Sequence, residues 1–267
     1  MKRSRSESFF YAVKPFLIYM ILFTAIRSAL GMLAESALTA APDDLVLLYT
    51  EWKDAVDLLT LSVSAVCAVI PVIREGRRDI LIFRHRQDRS WITGRRDSNM
   101  LIALLMIGTV SLCALINILM IGSTGSEIPM NPACVPLAAA VYGLLTPFTE
   151  EVVCRGVMWY RLRCGFASLW AAVISSALFG ASHGNWRQGI YGFVMGMVFS
   201  LAYELTRQFE VPFLLHCTCN LLVLAAVTFG WTDVLKSPQW ILFFAAAAAV
   251  CFAYWAKRLK ETDFRFL

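Results

Sequence analysis

Apolar blocks separated by short polar stretches run the length of the chain, at about 15–34, 56–73, 100–122, 133–158, 166–183, 187–206, 211–230 and 239–257. A helix needs roughly 20 apolar residues to cross a bilayer core. Backbone groups inside lipid must find partners within their own segment, which favours helices. The pattern predicts an all-α, polytopic transmembrane bundle of about eight spans. The first block follows "MKRSRSESFFYAVK" and has small residues downstream in "ESALTAA", which gives it the outline of a signal peptide. Retention as a span is the better reading, because an even number of spans suits the charges.

Composition agrees with the pattern. The chain has 267 residues, 58% hydrophobic and 16% charged, with a mean hydropathy of +0.63. Soluble domains carry about 25% charged residues, so a water-soluble fold is excluded. The charges are placed unevenly. Eight arginines stand between Arg74 and Arg96, Lys2, Arg3, Arg5 and Lys14 precede or open the first block, and Lys257, Arg258, Lys260 and Arg265 close the chain. By contrast, Glu35 to Asp57 is acidic, with Lys53 its only basic residue. The positive-inside rule then puts both termini and the basic loop, 74–98, in the cytoplasm. The expected home is the bacterial plasma membrane. A net charge of +5 suits topology and anionic headgroups and gives no reason to expect nucleic acid as a partner. Seven of the eight cysteines lie inside apolar blocks and Cys164 sits beside basic residues. Packing accounts for them better than disulfides or metal ligation.

Polar residues within the blocks divide the chain. Residues 1–132 hold three spans with few polar side chains beyond Arg27 and are expected to be scaffold, while 231–267 hold a last span and a basic tail. Residues 133–230 carry Glu150, Glu151, Arg155, His183, Asn185, Glu204, His216 and Asn220. Ionisable side chains in spans are functional-site candidates by default. The same region has two small-residue spacings, Gly180 with Gly184 and Gly192 with Gly196, which let helices approach closely.

Helical geometry sorts these residues. Glu151 and Arg155 are four apart and share a face, while Glu150 is rotated about 100° from Glu151. An ion pair of Glu151 with Arg155 leaves Glu150 free to face something else. A plainer reading, with both glutamates satisfying arginines or sitting at the rim, stays open on these residues alone. His183 lies one turn beyond Phe179 on the same face, and His216 shares a face with Asn220.

The stretches "EEVVCRG", "FGASH" and "HCTCN" resemble, in order and spacing, the EExxxR, FxxxH and HxxxN motifs of the CAAX-protease and bacteriocin-processing family of glutamic intramembrane proteases. That family includes the Ras-converting enzyme. The likeness covers roughly 137–229, about a third of the chain. One departure is Cys154, where members often have an aromatic residue. The resemblance implies peptide-bond hydrolysis in the membrane core, with a membrane-associated protein or peptide as substrate and the bilayer as surroundings. It implies that Glu150 and His183 activate a water and that His216 and Asn220 stabilise the oxyanion. Glu151, Arg155 and Phe179 would support the site structurally, with no metal and no cofactor, and 133–230 would be the protease core.

Two alternatives stand beside this one. Glutamate and two histidines also form some catalytic zinc sites, which gives a metal-dependent membrane protease at the same place. The same polar residues could instead form the relay of a non-enzymatic transporter. Oligomeric state is left open. The block boundaries also raise a geometric difficulty. A straight helix from 166 would carry His183 about 25 Å from its start, well past Glu150 if the preceding span ends near 158.

Overall fold

The computed structural model describes the backbone of residues 5–84, 98–121 and 130–261, and the side chains of 6–79, 98–120 and 130–260. His85, the arginines of the basic loop from Arg86 to Arg96, and Lys2, Arg3 and Arg265 lie outside the described residues. Every regular element among the described residues is a helix: α1 (Arg5–Thr39), α2 (Asp43–Arg84), α3 (Ser98–Ile121), α4 (Pro132–Arg163), α5 (Ser168–Ala181), α6 (Trp186–Thr206), α7 (Glu210–Thr228) and α8 (Pro238–Glu261). A single turn, Thr232–Leu235, joins the last two.

Among the described residues, all but α5 are long and apolar enough to cross a membrane, which makes seven candidate spans. The expected fifth block forms a helix of only 14 residues, about 21 Å long, against a bilayer core of about 30 Å. This shortness removes the geometric difficulty. Helix α4 runs on to Arg163 rather than stopping near 158, so Glu150 stands about 20 Å from its end. His183 lies in the turn just after α5, about as far from the same α4–α5 connection.

Helix α4 is not uniform. Two stretches, Val141–Leu145 and Val152–Trp159, are π-helical, with the wider i→i+5 pattern. Such insertions recur at functional sites because they re-aim side chains and release backbone groups. Helices α1 and α2 pack against each other and against the second of these stretches, burying Phe16, Tyr19, Val72, Val153 and Trp159 together. On the other side α3 joins α6, α7 and α8 through Leu101, Leu105, Phe199, Leu215 and Trp255, and Trp255 Nε1 donates to Leu101 O at 3.1 Å.

Helices α5 and α6 pack the most extensively, at glycine contacts. A Cβ on Gly180 would lie 2.5 Å from the Gly189 carbonyl oxygen, and one on Gly196 would lie 3.1 Å from the Ser176 side chain. Gly184 does not share in this approach, contrary to its expected pairing with Gly180. It has open space around it and a φ of +65°, so it serves the turn between the helices. The turn is closed by Asn185, whose side chain accepts from the Arg187 N–H at 2.9 Å and caps α6.

Candidate active site

Helix α4 carries Glu150 and Glu151 between its two wide stretches. Their surroundings differ completely. The Glu151 side chain is 0% exposed, whereas that of Glu150 is 22% exposed. Arg155 Nη1 donates to Glu151 Oε1 at 2.9 Å, and its Nη2 donates to Gly196 O at 2.9 Å. The guanidinium sits over the rings of Phe179 (5.4 Å) and Phe199 (5.5 Å), where the ring quadrupoles favour a cation. The ion pair read from the four-residue spacing is present, and helix α6 completes it with a backbone carbonyl.

His216 of α7 enters this network. Its Nδ1 lies 3.0 Å from Glu151 Oε1, the carboxylate oxygen already held by Arg155. A carboxylate accepts, so Nδ1 carries a proton and donates. The opposite nitrogen, Nε2, stands 3.6 Å from Glu150 Oε2. The imidazole therefore bridges the two glutamates, hydrogen-bonded to one and facing the other. Phe199 stacks on its ring at 5.0 Å, and Phe179 meets it edge-on at 5.7 Å. The bridge follows from two helices packing across each other, so helical periodicity within α4 carried no sign of it.

His183 is oriented differently. Its Nδ1 lies 2.8 Å from the Phe179 carbonyl, which can only accept. Nδ1 thus donates, and the neutral ring keeps a lone pair on Nε2. Phe179 holds the ring edge-on at 4.9 Å. Gly192 gives it room, since a Cβ there would be 3.1 Å from His183 Cε1. Phe179 touches both histidines and the guanidinium, and with its carbonyl it sets the tautomer of His183.

Asn220 has a partner that sequence gave no means of naming. In the first wide stretch of α4 the Thr146 N–H reaches back to Val141 O. The next amide in line belongs to Pro147, which has no hydrogen to give. The Tyr142 carbonyl is left over from the ladder, and Asn220 Nδ2 donates to it at 2.9 Å. One of the two Nδ2 hydrogens is thereby engaged and the amide is fixed in place, with the other hydrogen still to give.

Glu150, His183, His216 and Asn220 line one cavity of about 430 Å³, together with Thr146, Tyr191 and others. Glu151 and Arg155 lie behind its wall. Lining residues that sequence reasoning missed include Asn117 of α3 and Tyr191 and Phe199 of α6. They carry no recognisable motif, and only the packing of α3 and α6 brings them here. Two members of the polar region lie elsewhere. Asn185 caps α6, and Glu204 accepts from Ser168 Oγ (2.5 Å), Arg207 Nη2 (2.7 Å) and Arg163 Nη2 (3.2 Å). Glu204 thus clasps the α4–α5 connection to the end of α6. All eight cysteines are free thiols. Among the described residues no three His, Cys, Asp or Glu side chains converge in a way that could hold a metal ion.

Residues 132–222 match the family model described as type II CAAX prenyl endopeptidase Rce1-like. A putative membrane peptidase of Bacillus subtilis (strain 168), YdiL, is 29% identical over 89 residues, covering 33% of this chain and 36% of that protein. The membrane-embedded CAAX protease MroQ of Staphylococcus aureus (strain USA300) is 29% identical over 92 residues, covering 32% and 37% respectively. The chain thus spans little more than a third of the length of these relatives. No solved structure matches it. The segment 132–222, which supplies both glutamates, Arg155, both histidines and Asn220, is thus similar to the Rce1-like family of type II CAAX prenyl endopeptidases.

Proposed function

We propose that the protein is an intramembrane glutamic endopeptidase that hydrolyses a peptide bond of a membrane-associated protein or peptide. The observation that carries this reading is the convergence of Glu150, His183, His216 and Asn220 on one cavity, with the neighbouring Glu151 withdrawn into an ion pair. Two acceptors, the Glu150 carboxylate and His183 Nε2, hold the two hydrogens of a water and turn its lone pair toward the scissile carbonyl. Glu150 takes the proton as the water oxygen bonds to the carbonyl carbon. A positioned base of this kind contributes about 10²–10⁴ in rate.

The negative charge then moves onto the carbonyl oxygen, where donors are needed. Asn220 has its second Nδ2 hydrogen, and His216, with Nδ1 held by the Glu151 carboxylate, donates from Nε2–H in its doubly protonated form. When Glu150 becomes neutral, the imidazolium loses one anionic neighbour and meets the oxyanion instead. Each such donor is worth about 10²–10³ in kcat. Collapse of the tetrahedral intermediate breaks the C–N bond, and Glu150 returns its proton to the leaving nitrogen.

Residues 133–230 form the catalytic unit in this reading, with both termini and the basic loop on the cytoplasmic side of a bacterial plasma membrane. The test is cleavage of membrane-soluble peptides by the purified chain in lipid vesicles. Glu150→Gln should lower hydrolysis at least 100-fold while a metal chelator leaves it unchanged. Hydrolysis retained in Glu150→Gln would overturn the proposal, and loss to the chelator with recovery on added zinc would replace it with metal-assisted hydrolysis.

A further inference from the structure

Glu150 borders a second and much smaller chamber, of about 50 Å³, against helix α1. Tyr19 and Phe23 face it from α1, Cys154 from the next turn of α4, and Ser182 from the end of α5. Glu150 and Phe179 belong to this wall as well as to that of the catalytic cavity. The chemistry above makes no use of the chamber, and α1 lies outside the segment that carries the motifs.

The carboxylate of Glu150 has an unmet need. Among the described residues no protein group donates a hydrogen bond to it, and its 3.6 Å approach to His216 Nε2 is too long for one. An ionised carboxylate in the membrane core without donors is costly, and a base that nothing holds is poorly aimed. The hydroxyls around the chamber have already spent their hydrogens. Thr149 Oγ1 donates to Thr146 O at 3.0 Å, so in its 3.3 Å contact with Tyr19 it accepts and Tyr19 donates. Ser182 Oγ donates to Phe179 O at 2.7 Å. Tyr19, Ser182 and Glu150 therefore have only lone pairs left to offer, and the Cys154 thiol is a weak donor. Such a lining suits a molecule that brings hydrogens, and water brings two. A buried water needs roughly 10–15 Å³ and two to four polar partners, and the chamber supplies both.

We infer that this chamber is a water site that positions the catalytic base. A water there donates one hydrogen to the Glu150 carboxylate and the other to Tyr19 or Ser182, and so steadies Glu150 from the α1 side. Tyr19 and Ser182 are then positioning residues. This water is not the one that attacks the substrate, which is held between Glu150 and His183 Nε2 in the catalytic cavity. The inference rests on the endopeptidase reading, because it takes Glu150 as the base. Tyr19 is preset for the task, being 5% exposed and stacked on Phe23 at 5.8 Å. Helix α1 thereby does more than scaffold the core.

The experiment takes two readouts from the full chain in phosphatidylethanolamine–phosphatidylglycerol vesicles. X-ray radiolysis oxidises side chains that touch bound water, and mass spectrometry locates them. Cys154 and Cys251 are matched for the purpose, at 2% and 4% exposed. Cys154 should be oxidised and Cys251 spared, and the Cys154 signal should fall in Tyr19→Phe. Equal protection of the two thiols would overturn the water site. The second readout is peptide cleavage, with Glu150→Gln as the blank. Tyr19→Phe should lower kcat about tenfold with KM unchanged, the scale of a lost hydrogen bond to a charged group. Cys154→Leu fills the chamber while leaving both hydroxyls in place and should give the same loss, whereas Cys154→Ser keeps the space and should stay near wild type. If Tyr19 acts only through its contact with Thr149, Tyr19→Phe will lower Tm while Cys154→Leu stays active, and the inference fails. A rise in KM with kcat unchanged in either variant would overturn it too. Oxidation of Cys154 without any Glu150-dependent cleavage would instead overturn the endopeptidase reading and leave the water in place.

Discussion

The adjacent glutamates offer the sharpest separation of structural from chemical roles. In Glu151→Ala, the buried Arg155 loses the carboxylate at 2.9 Å and keeps Gly196 O, while His216 Nδ1 loses its acceptor at 3.0 Å. Removing one partner of a buried pair leaves an uncompensated charge, at a cost of about 3–5 kcal/mol. By the scaling of soluble domains this corresponds to a fall in Tm on the order of 10 °C. Glu150→Ala removes a side chain that makes only a 3.6 Å approach to His216 and is 22% exposed, so its cost should stay within about 1 kcal/mol. Thermal unfolding in detergent, followed by tryptophan fluorescence, reads both. The cycle of Glu151→Ala with Arg155→Ala should give a coupling of about 1–3 kcal/mol. Equal destabilisation by the two glutamate variants, or greater loss in Glu150→Ala, would refute the division of roles.

Further outcomes follow from the same geometry. Asn220→Ala should lower kcat about 10²–10³-fold and also destabilise, since the Tyr142 carbonyl loses its donor. Pro147→Ala restores an amide hydrogen beside that carbonyl, so the stability cost of Asn220→Ala, measured by unfolding, should shrink in its presence while the activity loss remains. Gly192→Ala puts a methyl about 3.1–3.2 Å from the His183 ring. It should lower kcat in the cleavage assay, because the ring must shift by a few tenths of an ångström, and also lower Tm, because the same methyl lies 3.3 Å from the Gly180 backbone and pushes α5 and α6 apart.

Lengths of apolar runs and the distribution of arginines were enough to read an all-helical membrane protein, because a bilayer leaves the backbone few other choices. The helical period put Glu151 and Arg155 on one face, turned Glu150 away from them, and put His216 and Asn220 on one face, since those relations lie within single helices; the ion pair itself is seen only in the structure. The failures lie between helices. The block at 166–183 is apolar throughout, and only the structure ends it at Ala181, where the turn at Gly184 and Asn185 brings His183 level with Glu150. No periodicity marks the π-helical stretches of α4 or the carbonyl that Pro147 strands for Asn220. Nor could it show His216 bound to Glu151, Phe199 beneath it, or the chamber between α1, α4 and α5. These depend on tilt and close approach, set by many packed side chains and by glycines such as Gly180 and Gly192 acting together. Local sequence determines which residues share a face; which faces meet is decided by the packing of the whole bundle.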